Sequence, residues 1–137
     1  MILKINNISI NEIISIVDFT IKNKKKIKIF YINQNVFDLS FKNNKLLEIF
    51  NNGYLIPDGI AFFTALKLKN LTSKIYRHIS TNIWEAIIKH AIEKNYSTFF
   101  FGGHAQVKKL KILRERFKGL LINGVINGYN IDIKDAV

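Results

Sequence analysis

The most informative segment of this chain is Tyr54-Leu55-Ile56-Pro57-Asp58-Gly59, which leads into Ile60-Ala61-Phe62-Phe63-Thr64-Ala65-Leu66. Its first residues predict a buried strand, Pro57-Asp58-Gly59 predicts a turn, and the apolar run that follows predicts a helix. A carboxylate on a turn at the end of a buried strand is a common catalytic or ligand-binding group in open α/β sheets. The alternative is that Asp58 only caps the helix that follows it, a role that aspartate fills well.

The same alternation of strand and helix patterns continues along the chain. Apolar periodicity predicts helices at residues 11–22, 36–51, 60–69, 83–94 and 105–118, and strands at 27–32, 54–56, 98–101 and from 120 onward. The strand at 98–101 is apolar on both faces, as strands of parallel sheets are. We therefore predict an α/β fold with a Rossmann-like open parallel sheet and flanking helices. We expect one domain over residues 1–137, with a small hairpin or helix before the sheet begins.

The composition is that of an ordinary globular protein. Hydrophobic residues make up 48% and charged residues 23% of the chain, which is outside the disordered class. The absence of cysteine excludes disulfides and thiolate metal sites. His78, His90 and His104 lack the spacing of metal ligands, so we expect no metal. The first residues lack the pattern of a signal peptide and no uncharged apolar run reaches transmembrane length, so we expect a cytoplasmic location.

The formal net charge of +11 comes almost entirely from lysines, with a dense run at residues 22–28. Such a charge favours nucleic acid, an anionic membrane face or phosphate-bearing substrates as partners. A compositional bias toward Ile, Asn and Lys, typical of AT-rich genomes, explains the charge without any partner. Nucleic-acid binders more often carry arginines interleaved with aromatic residues, and this chain has only Arg77, Arg114 and Arg116, so we expect no nucleic-acid partner.

Ligands of an open parallel sheet bind at the carboxyl ends of its strands. This rule nominates residues 33–35, 58–59, 102–104 and 124–129. The Gly102-Gly103 pair leads into a predicted helix, whose free N–H groups favour a phosphate, although a tight turn explains the pair equally well. Arg77 precedes a capped helix, where it either binds a diphosphate through two hydrogen bonds or is a surface arginine.

The order of these motifs resembles the WecG/TagA/CpsF family of bacterial glycosyltransferases, glycosyltransferase family 26, from Ile2 to the end of the chain. The matching motifs are Tyr31-Ile32-Asn33, Pro57-Asp58-Gly59-Ile60, Arg77-His78-Ile79-Ser80-Thr81-Asn82, Phe99-Phe100-Phe101-Gly102-Gly103 and Gly128-Tyr129. Tyr31 stands where the family has threonine, Ser80 where it has glycine, and Asn82 where it has aspartate. Members continue past the Gly-Tyr pair with further strands, so we expect this chain to be truncated and its sheet to be incomplete at the C-terminal end.

The resemblance implies an inverting transfer of an N-acetylmannosamine-type sugar from a UDP donor to a polyprenyl-diphosphate-linked N-acetylglucosamine, without a metal or other cofactor. It implies that Asp58 is the general base and that Asn33 positions the sugar or the acceptor. It also implies that Arg77 offsets charge on the UDP leaving group. The other substrate-binding residues that it implies are Thr81, Asn82, Gly102 and Gly103. The expected partners are the UDP-sugar, the lipid-linked acceptor and the anionic inner face of the cell membrane, where the protein would be peripheral.

The alternative function is a catalytically degenerate basic domain that binds anionic membrane or nucleic acid. Such binding would weaken steeply with salt and would be indifferent to Asp58. The sequence leaves open the donor sugar, the acceptor, the glycan pathway and the formation of a homo-oligomer.

Overall fold

The computed structural model describes residues 3–69, 76–103 and 110–129. The described helices are α1 Ile10–Lys22, α2 Gln34–Lys42, α3 Asn44–Asn51, α4 Ile60–Leu68, α5 Ser80–Glu93 and α6 Leu110–Arg116. The described strands are β1 Ile29–Ile32, β2 Tyr54–Pro57, β3 Ser97–Gly102 and β4 Leu121–Asn127. The chain divides into two compact units, residues 1–84 and 85–137. The single domain that we predicted over 1–137 stays a prediction.

In the first unit, β1 and β2 form a parallel pair in which Ile32 lies beside Pro57. Parallel neighbours need a long crossover, and α2 and α3 supply it. The ladder continues past Pro57, because the Asp58 N–H donates to the Ile32 carbonyl at 2.8 Å. Asp58 also makes an isolated parallel bridge with His78. Asp58 therefore lies at the carboxyl end of the sheet with a backbone neighbour on each side.

The core of the first unit lies on one face of this strand pair. Its buried members are Leu3, Ile32, Leu47, Phe50, Leu55 and Phe62. Because neighbouring side chains of a strand point to opposite faces, Tyr31 and its register partner Ile56 belong to the other face. Ile56 is fully buried there, so the sheet is covered on both sides, as expected for parallel strands.

The single helix predicted at residues 36–51 is wrong, because this segment forms two helices that meet at Asn43. The backbone of Asn43 is extended, with φ −140° and ψ 99°. Its side-chain Oδ1 accepts from the N–H groups of Lys45 and Leu46, both at 3.1 Å. Asparagine side chains compete with the helix for backbone donors, and here the competition ends α2 and begins α3.

The segment before α1 is tied into the first unit by side-chain and backbone hydrogen bonds. Asn6 exchanges two bonds of 2.7 Å with Leu55. The Tyr76 N–H donates to Oδ1 of Asn7 at 2.8 Å, and Nε2 of His78 donates to the Ile8 carbonyl at 2.6 Å. The appended element that we predicted is thus a helix, α1, preceded by a segment that binds the edge of β2.

In the second unit, β3 and β4 form a parallel pair, with Ser97 beside Leu121 and Gly102 beside Asn127. Burial alternates along β3, and Phe99 and Phe101 are 56% and 67% exposed. The strand is apolar on both faces, as noted from the sequence, but these two rings are exposed rather than buried. In the same unit, Arg116 of α6 makes a 3.2 Å ion pair with Glu85 of α5.

The mixture of helices and short parallel strands in the described residues is compatible with the α/β prediction. The described strands form two two-stranded parallel sheets, so a single Rossmann-like open sheet is not what this part of the chain displays. No described helix is both long enough and apolar enough to cross a membrane.

Candidate functional site

The carboxyl ends of β1 and β2 meet in an open pocket of about 330 Å³. Asn33, which follows β1, and Asp58, which follows β2, both line it together with Gly59 and the first turn of α4. Two of the four strand ends nominated from the sequence are therefore brought together, as the parallel pairing requires.

The Asp58 carboxylate is held at the start of a distant helix. The backbone N–H of Ser80, the first residue of α5, donates to Oδ1 of Asp58 at 3.2 Å. The first N–H groups of a helix have no partner within it, and the helix dipole favours a negative charge there. Asp58 thus satisfies one donor of α5 while its own orientation is fixed.

The alternative that Asp58 caps the helix following it is wrong. The N-cap of α4 is Gly59, and it makes no side-chain capping bond. Gly59 has φ +87° and ψ 153°, a conformation that residues with a Cβ rarely adopt. This turn directs the chain into α4 and leaves the Asp58 side chain to reach α5.

Asn33 begins α2 as its N-cap. Its Oδ1 accepts from the Val36 N–H at 3.0 Å. The amide nitrogen, which is the donor end of the side chain, takes no part in this bond. Asn33 is exposed, so its amide nitrogen is the group that can donate to a ligand in the pocket.

Tyr31 lies near the Asp58 carboxylate, a relationship that we did not foresee from the sequence. Tyr31 pairs with Ile56, and Asp58 follows two residues later, so all three side chains belong to the same face. Burial of the Tyr31 phenol, and then the negative charge of Asp58, raise the pKa of Tyr31 above its ordinary value. The phenol therefore stays protonated and able to donate at neutral pH. The strand register shows that Tyr31 and Asp58 share a face of the sheet. The motif comparison shows only that Tyr31 stands where the family has threonine.

The segment from Arg77 to Asn82 approaches Asp58 through two backbone contacts, the bridge at His78 and the bond from Ser80. Arg77 is exposed and directly precedes His78. Thr81 and Asn82 are exposed in the first turn of α5, directly after Ser80. The structure therefore places all three predicted binding residues on the segment that contacts the carboxylate.

His78 is a buried residue of this region that the sequence did not single out as a site residue. It is only 4% exposed. Its Nε2 donates to the Ile8 carbonyl at 2.6 Å. This bond holds the His78 backbone in place beside Asp58. No local sequence pattern signals this contact, because its partners lie 70 residues apart.

Gly102 and Gly103 belong to the second unit, at the carboxyl end of β3. The Gly102 carbonyl accepts from the Gly128 N–H at 2.9 Å, which joins the two strand ends of that sheet. The predicted helix start at residue 105 and His104 lie outside the described residues. Tyr129, which follows β4, is 86% exposed.

Among the described residues, no three histidine, aspartate or glutamate side chains are grouped where they could hold a metal ion. The polar side chains that line the pocket of the first unit are the Asp58 carboxylate and the amides of Asn33, Gln34 and Asn35, and the Tyr31 phenol lies near the carboxylate. A carboxylate in such a setting can accept a proton from a bound hydroxyl, and an amide can donate to a ligand oxygen.

The family model described as Glycosyl transferase WecG/TagA/CpsF family matches residues 1–136 of this chain. The match includes both strand ends of the pocket and the segment that contacts Asp58. No curated protein matches the chain significantly.

Proposed function

This chain belongs to the WecG/TagA/CpsF family of glycosyltransferases, and from that premise we propose the reaction that it catalyses. It transfers an N-acetylmannosamine-type sugar from a UDP donor to a polyprenyl-diphosphate-linked N-acetylglucosamine, with inversion at the anomeric carbon. The product would serve the synthesis of a surface polysaccharide or teichoic acid. Family membership supports the transferase, and the donor and acceptor are our proposal.

The observation that carries this proposal is the placement of Asp58. Its carboxylate lies in an open pocket at the carboxyl ends of two parallel strands, where α/β enzymes bind their substrates. The bond from Ser80 engages Oδ1, so we assign Oδ2 as the atom that accepts the proton of the acceptor hydroxyl. As that proton leaves, the hydroxyl oxygen forms its bond to the anomeric carbon, and the bond to the UDP oxygen breaks on the opposite face.

Asn33, which lines the pocket, and Tyr31, which lies near Asp58, orient the reactants. The Asn33 amide nitrogen donates to a hydroxyl or carbonyl oxygen of the sugar or the acceptor. The protonated Tyr31 phenol lies beside the base and is a second donor to the bound substrate. Holding the reactants in this way replaces a collision in solution with a fixed geometry.

We propose that Arg77 offsets the negative charge of the departing UDP, because a guanidinium binds diphosphate oxygens through paired hydrogen bonds. Thr81 and Asn82, in the first turn of α5, add hydroxyl and amide groups for donor binding. Gly102 and Gly103 remain proposed donor-binding residues on the ground of the family motif.

The direct test is UDP release from UDP-N-acetylmannosamine by the purified chain, given a short-chain lipid-diphosphate-N-acetylglucosamine. Asp58→Asn keeps the size of the side chain and removes its basicity, so we expect release to fall by about 10²- to 10⁴-fold. Donor binding, measured by calorimetry, should change little in this variant.

The matched control is Asp38→Asn, the same chemical change at an exposed position of α2. Asp38 accepts from the Gln34 side chain at 3.1 and 3.2 Å and does not line the pocket. We expect this variant to release UDP at the wild-type rate. Near-normal release by Asp58→Asn would exclude Asp58 as the base.

A further inference from the structure

A dense cluster of positive charge lies at the C-terminal end of α1 and in the loop that follows it. Five of the seven residues at positions 22–28 are lysines, and all of them are exposed. Lys22 pairs with the Asp18 carboxylate at 3.1 Å. The remaining lysines of the cluster therefore give this surface a strong positive potential.

The loop has a defined geometry that presents these lysines. Lys24 has φ +52°, and its N–H donates to the Ile21 carbonyl, while the Lys25 N–H donates to the Thr20 carbonyl. These two bonds are those of a Schellman motif, in which glycine is the usual residue at the left-handed position. A lysine occupies that position here, although a left-handed backbone is unfavourable for it.

Apolar side chains lie among the lysines. An open groove of about 350 Å³ is lined by Phe19, Lys25, Ile27 and Tyr54, among others. Phe19 is 56% and Ile27 is 37% exposed, and the Lys25 ammonium lies 5.1 Å from the centre of the Phe19 ring. We call Phe19, Ile27 and the five lysines of residues 22–28 the basic–apolar patch.

We propose that the basic–apolar patch docks this chain on an anionic membrane surface. The lysine ammonium groups bind lipid phosphates, and Phe19 and Ile27 enter the headgroup layer beside them. The lysine stems run along apolar surface while their charged ends reach the phosphates. This combination of basic and exposed apolar side chains is typical of surfaces that lie in a membrane interface.

The composition of the patch favours a membrane over nucleic acid. The patch contains no arginine, the residue that most often binds phosphates and bases in nucleic-acid interfaces. Exposed aliphatic side chains such as Ile27 gain free energy at a lipid surface but contribute little along a phosphate backbone.

The patch is separate from the pocket at Asp58. Lys28 directly precedes β1, and Tyr54 begins β2, so the patch lies at the amino ends of the strands, whereas Asp58 lies at their carboxyl ends. The inference rests on the proposed function for its biological purpose, since the acceptor proposed above is lipid-linked. Membrane binding is nevertheless measurable without any sugar transfer.

The test is co-sedimentation of the full chain with phosphatidylcholine vesicles, with and without phosphatidylglycerol. We expect binding only to the vesicles that contain phosphatidylglycerol, and weaker binding at higher salt. The double variant Lys24→Gln/Lys26→Gln should lower the partition coefficient on the order of 30-fold, from the usual contribution of a lysine near an anionic surface. The control Lys42→Gln/Lys45→Gln removes the same charge from exposed positions outside the patch and should have a much smaller effect.

A second pair of variants tests the apolar contribution. Phe19→Ala should lower the partition coefficient by about fivefold. Phe41→Ala removes an equally exposed ring, at 55%, from α2 outside the patch, and should leave binding unchanged. Circular dichroism confirms that each variant is folded.

Three results would overturn the inference. One is equal binding to both kinds of vesicle, and another is an equal effect of the two double-lysine variants. The third is tighter binding of the chain to a DNA duplex than to the vesicles, with displacement of the vesicles by the duplex. Vesicle binding without UDP release would contradict the proposed function alone, and UDP release without vesicle binding would contradict this inference alone.

Discussion

The Ser80 N–H and the Asp58 carboxylate are joined by a 3.2 Å hydrogen bond across 22 residues of sequence. The proposed base is thus also the group that satisfies the first donor of α5. A charged acceptor at a helix N-terminus stabilises the helix, and the same bond restricts the rotation of the carboxylate. In the proposed mechanism, stability and catalysis therefore depend on the same side chain through different oxygen atoms.

Replacement of Asp58 should separate these two roles. Asp58→Ala removes the acceptor for Ser80, and we expect the free energy of unfolding to fall by about 1 kcal/mol, the usual effect of losing a cap. Asp58→Asn keeps an acceptor oxygen, so its free energy of unfolding should fall by less, although its sugar-transfer activity should be lost. Urea unfolding of both variants, with Asp38→Ala as a control at an exposed position, measures the difference. Equal stability of Asp58→Ala and the wild type would refute the capping role.

Tyr31 should make the protein less stable in alkali. Its pKa is raised in the folded state by burial and by the Asp58 charge, so the folded protein favours the protonated phenol. The resulting stability is present below about pH 10 and is lost as the pH rises through the raised pKa. Tyr31→Phe should reduce the loss of stability at alkaline pH. Tyr129→Phe, at an exposed position, should lose as much stability as the wild type does.

The same variant locates the titration of Tyr31. The difference between the ultraviolet tyrosinate titrations of the wild type and Tyr31→Phe should have its midpoint above the ordinary value of 10.0. A midpoint at or below that value would contradict both causes of the raised pKa, the burial of the phenol and its nearness to the Asp58 charge.

Gly59→Ala should strain the turn that carries Asp58. A Cβ at this position meets no atom within 4 Å, so the cost comes from the backbone conformation at φ +87°. Such conformations cost on the order of 1–3 kcal/mol for a residue with a side chain. We expect lower thermal stability and slower UDP release, because relaxation of the turn displaces the carboxylate. A stability change below about 0.5 kcal/mol would argue against the observed turn.

Lys24→Gly should stabilise the protein, which is unusual for the loss of a side chain. The φ of +52° at Lys24 is unfavourable for lysine and favourable for glycine, and we expect a net gain of about 0.5–1 kcal/mol. Lys26→Gly removes the same side chain from the following loop and should give no gain. Denaturant unfolding of both variants tests this prediction, and destabilisation by Lys24→Gly would contradict the Schellman geometry.

Local patterns predicted the elements whose boundaries depend on local interactions. The helices predicted at 11–22 and 60–69 are observed as Ile10–Lys22 and Ile60–Leu68, since apolar periodicity and nearby turns determine them. By contrast, α5 begins at Ser80 rather than at the predicted residue 83. The group that satisfies its first N–H comes from Asp58, and no local pattern contains that contact.

The candidate site was predictable to the same extent. The rule that ligands bind at the carboxyl ends of parallel strands led to Asn33 and Asp58, which line one pocket. Tyr31 required the strand register, and His78 required a contact with Ile8 from the beginning of the chain. The surroundings of these two residues depend on partners that are distant in the sequence, and only folding brings those partners together.

The edge segment at residues 6–8 has a consequence for the order of folding. Its hydrogen bonds reach Leu55, Tyr76 and His78, at separations of 49, 69 and 70 residues. During synthesis the bonds to Tyr76 and His78 cannot form until the ribosome has released the chain beyond His78. Contacts between such distant residues also close large loops, which slows folding. The residues that are translated first are therefore among the last in their unit to reach their native positions.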